Sequence, residues 1–107
     1  MKFGGNLQNM LKQAQKVKEQ IEKLQAEAGE RTVEASSGGG MVTVVAKAKG
    51  ELVSIKIEAE IVKEGDIEML QDLITAAVNE ALHRGHEIMK EEVGKAATGF
   101  GLPPGLL

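Results

Sequence analysis

GGGMVTVVAKAKGELVSIKI, from Gly38 to Ile57, decides how this chain folds. Val42, Val44, Ala46 and Ala48 recur with period two, and after the Gly50-Glu51 turn Val53, Ile55 and Ile57 resume the alternation. That period puts successive side chains on opposite faces of a strand, so each run presents one apolar face. Glycines punctuate both runs, and glycine supplies the left-handed backbone of a tight turn without steric cost. The segment reads as a β-hairpin. Upstream, Arg31 to Ser37 alternate again, with Val33 and Ala35 on one side and Thr32, Glu34 and Ser36 on the other. Three strands joined by short turns form an antiparallel meander. Such a sheet needs helices or a second chain to cover its apolar face.

Helical patterns flank the meander. Leu7, Ala14, Ile21 and Ala28 alternate with Met10, Val17 and Leu24 in a heptad, which gives a long helix with a narrow apolar seam. Asn6 is the expected N-cap and Gly29 the expected stop; the rod between them is about 34 Å long at ~1.5 Å per residue. After Ile57 the chain is expected to run irregularly from Glu58 to Gly65. Asp66 then caps a second long helix, whose stripe is Leu70, Leu73, Ile74, Ala77, Val78, Ala81 and Ile88. Beyond Ile88 the stripe thins, so the last turns, to about Ala97, are expected to project, and Gly85 to bend the helix. The ending GFGLPPGLL holds both prolines and no periodicity and reads as an irregular tail from about residue 98.

Composition narrows the function. One domain of 107 residues is expected, without cysteine and with two phenylalanines as its only aromatic residues. No thiolate metal site is available, and base stacking on aromatic faces is disfavoured. No signal-peptide core or membrane-spanning apolar run is present, so a soluble cytoplasmic protein is expected. The net charge of -3 is unevenly spread: residues 1–29 carry five lysines against three glutamates, and residues 66–107 carry three basic against seven acidic groups.

Lys12, Lys16 and Lys23 fall within about 40° on a helical wheel, nearly opposite the seam. A row of cations suits a phosphate backbone, which needs no base-reading group. A solvated face paired with Glu19, Glu22 and Glu27 fits the same spacing. Arg84 and Lys95 each follow a glutamate by four residues, Glu80 and Glu91, as structural pairs do. His83 and His86, near Glu80 and Glu87, read as surface histidines rather than a metal set. Gly38 to Gly40 lack the Lys-Ser/Thr of a phosphate loop, and Ser36, Ser37 and Thr43 have no base nearby. No catalytic residue, metal ligand or cofactor is assigned.

In sequence order, LQNMLKQAQKVKEQIEKLQAE, the glycine-led strands, DIEMLQDLITAAVNEALHR and GLPPGLL resemble the YbaB/EbfC family of bacterial nucleoid-associated proteins over nearly the whole chain. The resemblance implies an α+β protomer ordered α-β-β-β-α, dimerising through its sheet and adjoining helices into a tweezer-like homodimer. It also implies binding of double-stranded DNA by the projecting helices. Carried over helix by helix, the DNA contacts are Lys12, Lys16, Lys18 and Lys23 in the first helix and Lys90 and Lys95 in the last. The last pair stands among Glu87, Glu91 and Glu92. The sheet and second long helix assign dimerisation to Val42, Val44, Val53, Ile55, Ile57, Leu70 and Ile74. A nucleoid role in DNA organisation and gene regulation follows. The alternative is a dimeric adaptor that docks on a replication or recombination protein, as the acidic net charge suits.

Overall fold

The computed structural model describes residues 2–99 and 101, with side chains from residue 5 onward. Helix α1 spans Lys2–Gly29, strand β1 Thr32–Ser37, β2 Val42–Lys47, β3 Glu51–Ile57, helix α2 Ala59–Glu64 and helix α3 Ile67–Gly99. The α+β order and the antiparallel meander β1-β2-β3 match the sequence pattern.

The turns work through glycine. A single 3-10 turn at Gly38–Gly40 joins β1 to β2, with φ of 59°, 68° and 97° at its three residues. Only glycine adopts three such angles in succession without strain. Between β2 and β3, Gly50 (φ 100°) closes the turn by donating its N–H to the Lys47 carbonyl at 2.9 Å.

Register then decides which side chains share a face. Val44 pairs with Ala35 on one side and Ile55 on the other, and Val42 pairs with Ser37 and Ile57. A bulge interrupts β2-β3: Val45 faces Ser54, the next residue Ala46 faces Leu52, and Val53 has no partner. Leu52 therefore takes the place opposite Ala46 that strict alternation gives to Val53.

The first half of α3 lies on the apolar face of this sheet. Ala77 and Ala81 meet Ala35, Val42, Val44 and Ala46, ringed by Val33, Ile57, Leu70, Leu73, Ile74 and Val78. Small residues on the helix let it approach closely. A Cβ added to Gly85 would stand 2.9 Å from the Ala48 Cα, so Gly85 is an approach point, and α3 runs unbroken through it to Gly99.

Two more expectations are revised. Asn6 lies inside α1 rather than at its cap, since the glycines before it cost a helix about 1 kcal/mol each without breaking it. Residues 58–65 are not irregular: they hold the short helix α2, anchored by the buried Ile61 and closed by the left-handed Gly65. Asp66 does cap α3, its Oδ1 accepting the Met69 N–H at 3.0 Å. Of the expected tail, residues 98 and 99 are helical; Phe100 and residues 102–107 lie outside the described residues.

Candidate nucleic-acid interface

Past Gly85, α3 leaves the sheet and runs antiparallel to α1, and the two helices form an arm. Ile21 and Ala28 of α1 and Ala97 of α3 are buried, and Val17 is half-buried. The molecule measures 78 × 20 × 18 Å. The heptad seam of α1 is thus covered in part by its own chain along the C-terminal part of the helix, at Ile21 and Ala28, while Leu24 stays exposed.

A latch fixes the root of the arm. Glu30, just past α1, bonds Lys47 and Lys49 at 2.8 Å each, and Lys49 also lies 3.3 Å from Glu51. The Ala48 N–H donates to the Arg31 carbonyl at 2.7 Å, and Lys49 N–H to that of Gly29 at 3.1 Å. Those two lysines hold the Glu30 carboxyl down to about 2, and Glu30 together with Glu51 pushes Lys49 up. Higher on the arm, Arg31 reaches Glu92 of α3 at 3.1 Å. Spacing could not reveal these bonds, because they link residues up to 61 positions apart.

The arm separates its lysines into two kinds. Lys12, Lys16 and Lys23 are exposed, and among the described residues no carboxylate lies within 4.0 Å of any of them. Ile21 faces α3, so the row opposite it points away from the partner helix. Its cations span eleven residues, about 16 Å at ~1.5 Å per residue. Lys18 is turned elsewhere and sits 4.0 Å from Glu22. Among the described residues, then, the row itself makes no pair with Glu19, Glu22 or Glu27, and Lys18–Glu22 is a contact beside it.

On α3, Lys90 is exposed and unpaired among the described residues, whereas Lys95 lies 3.8 Å from both Glu91 and Glu92. Arg84 bonds Glu80 at 3.1 Å and also donates to the Glu34 carbonyl of β1 at 2.6 Å. The arm is thus basic along the outer side of α1 and mixed along α3. His83 and His86 are exposed, and no group of three or more potential ligands converges among the described residues.

The residues assigned to dimerisation divide as well. Val42 and Val44 are fully buried within the protomer, in the core that α3 forms with the sheet. Leu70, Ile74 and Ile57 are half-buried around the core. Ile55 and Val53 stay exposed on β3, joined by Leu52, which the sequence pattern passed over because the bulge was not visible in it. Leu52 and Ile55 are 42% and 43% exposed although they share the face that α3 covers over β1 and β2. That row lies on an edge strand.

Known proteins share this architecture. A nucleoid-associated protein of Acetivibrio thermocellus is 52% identical over 97% of this chain and 92% of its own length. One from Moorella thermoacetica is 54% identical over 92% of this chain and 95% of its own. The crystal structure of an uncharacterized protein from Helicobacter pylori superposes with a TM-score of 0.61 at 27% identity, covering 73% of this chain and 90% of that one. The family match itself runs from residue 3 to residue 100, through both long helices and the sheet. Because it takes in the arm as fully as the platform, the chain belongs to the YbaB/EbfC DNA-binding family.

Proposed function

We propose that the protein binds double-stranded DNA as a homodimer, chiefly through phosphate contacts, and acts at the nucleoid in DNA organisation and gene regulation. The observation that carries this reading is the unpaired, outward row Lys12, Lys16 and Lys23 on a helix that extends beyond the sheet. Cations already satisfied by carboxylates gain little from a phosphate, whereas free ones release counterions from the duplex. Lys90 adds to the row's charge; Lys18 and Lys95 contribute less because each has an acidic neighbour. Relatives named as nucleoid-associated proteins support the cellular setting.

Dimerisation follows from β3. An edge strand with exposed Leu52, Val53 and Ile55 offers both unpaired backbone and apolar surface to a second copy. Leu70, Ile74 and Ile57 border that surface, and Val42 and Val44 support it from within. Two arms per dimer double the lysine rows, which offsets the acidic net charge.

Replacing Lys12 and Lys16 by Gln tests the phosphate reading. Each phosphate that is no longer neutralised flattens the slope of log affinity against log salt by about 0.9, so the double variant should flatten it by about 2 per engaged arm, equally on all DNA sequences. An unchanged slope rejects the assignment. The net charge of -3 favours a second reading, a dimeric adaptor for a replication or recombination protein. Retardation of duplex DNA in a gel at ~150 mM salt separates the two, because an adaptor leaves the duplex unshifted.

A further inference from the structure

Two exposed apolar patches lie at opposite ends of the molecule. Gly29 and Gly85 both abut the β2-β3 turn, at Lys49 and Ala48, which sets the antiparallel helices α1 and α3 level there. From that level α1 runs back to residue 5 over about 36 Å in one direction, and α3 runs back to residue 67 over about 27 Å in the other, at ~1.5 Å per residue. Near the N-terminal end of α1, Leu7, Met10 and Leu11 are 58%, 68% and 61% exposed. At the other end, Val62 of α2 and Ile67 of α3 are 56% and 69% exposed. With Ile61, Gly65, Asp66 and Leu70 these two line a small cleft.

The ends differ in charge. Residues 5–18 carry Lys12, Lys16 and Lys18 and no acidic group. Residues 58–72 carry Glu58, Glu60, Glu64, Asp66, Glu68 and Asp72 against Lys63 alone. All six carboxylates belong to exposed residues, and none forms an ion pair among the described residues. Sign therefore selects among the ways a second copy can use the patches. Joining two α1 ends brings lysines together, and joining two clefts brings carboxylates together, which like-charge repulsion opposes. An α1 end on a cleft brings unlike charges together around two apolar surfaces.

We propose that copies associate head to tail, the α1 end of one seated on the Val62–Ile67 cleft of another. Lys18 shares the side of α1 that carries Leu7 and Leu11, so it is the lysine brought nearest the carboxylates. Lys12 and Lys16 face away from that side and stay open to phosphate. Such a contact is heterologous, so it does not close on itself and runs on from one dimer to the next. Five exposed side chains fall short of the ~800 Å² per partner that a stable interface buries, so the contact is weak between free molecules. Copies held side by side on one duplex meet at a raised effective concentration, which makes their binding cooperative. This last step alone rests on the DNA reading.

The absence of cysteine allows a test without DNA. Met10→Cys protein is mixed with Ile67→Cys protein, oxidised, and analysed by peptide mass mapping. At ~10 mM salt the disulfide between unlike chains should exceed either like-chain disulfide by about fivefold or more, and at ~1 M salt, where charges are screened, the excess should vanish. A random distribution at low salt, or an excess that salt leaves unchanged, overturns the proposal. The second measurement uses DNA. Leu7→Gln with Leu11→Gln, and separately Val62→Gln with Ile67→Gln, should each leave the sedimentation mass and the affinity for a ~20 bp duplex unchanged while lowering apparent affinity for a ~200 bp duplex by about tenfold. An equimolar mixture of the two should restore it, because each supplies the end that the other lacks. A mixture that restores nothing overturns the proposal, and so does a fall to monomer mass in the Val62 and Ile67 variant, which assigns the cleft to the dimer interface. If the unmodified protein leaves the ~20 bp duplex unbound, the DNA reading fails and the disulfide result still decides the head-to-tail contact.

Discussion

Gly85 shows how much one missing methyl group decides. The Ala48 backbone occupies the space a side chain would take, with its Cα 2.9 Å and its carbonyl oxygen 3.1 Å from the added Cβ. Backbone cannot swing aside as a flexible side chain can. Gly85→Ala should therefore destabilise the protein by about 1–3 kcal/mol, beyond the ~1 kcal/mol that alanine gains in helix propensity. Gly94 is the control in the same helix, since nothing lies within 4 Å of its Cβ position. Gly94→Ala should stabilise by about 0.5–1 kcal/mol. Opposite shifts in the urea midpoint are the expected result; equal shifts refute the close-approach reading. From sequence alone the two glycines look alike, because a glycine in a helix does not announce whether it faces a neighbour.

The elements themselves are joined by a few long-range polar contacts, and the Glu30 latch is the one with a pH signature. Its carboxyl lies lower in the folded chain, at about 2, than its ordinary 4.5, so its contribution is complete above about pH 4.5 and disappears as pH falls from there towards 2. Lys49 is raised, so its share persists below its ordinary value of 10.5 and is lost only as pH rises above it. Glu30→Gln should lower stability at pH 7, and the gap to the unmodified chain should close by about pH 2 in acid urea titrations. A gap that persists in acid assigns the effect to packing instead. The latch ties the start of the meander to its second turn, so its loss should loosen the direction of α1. Heptads and alternation made α1, the meander and α3 legible, whereas α2 was missed: six residues around one buried Ile61 offer too little periodicity to register.

At the scale of the whole molecule, a small sheet positions an arm, and the 78 Å length exists because two helices leave the platform together. The open edge of the sheet should then set the assembly. Leu52→Asp with Ile55→Asp places charge on exposed positions, so the protomer should still fold while its sedimentation mass drops from dimer to monomer. Duplex affinity should fall with it, as one lysine row is left per particle. An unchanged sedimentation mass moves the interface away from β3.

The candidate site was legible to a similar degree. Wheel geometry placed Lys12, Lys16 and Lys23 in a row, but it left their pairing with neighbouring glutamates undecided. Only the folded arm shows Lys18 bound to Glu22, the row unpaired among the described residues, and Lys95 held between two carboxylates. Side-chain rotamers and the partner helix settle such choices, and spacing encodes neither. Likewise, alternation fixed that Val42, Val44, Ile55 and Ile57 share a face, whereas the path of α3 decided that the first two are buried and Ile55 is not. The amino-acid sequence determined the kind and order of the long elements, because the periods of helix and strand are properties of the local backbone. The tertiary structure alone decided what each face meets, because burial depends on contacts between residues far apart in the chain.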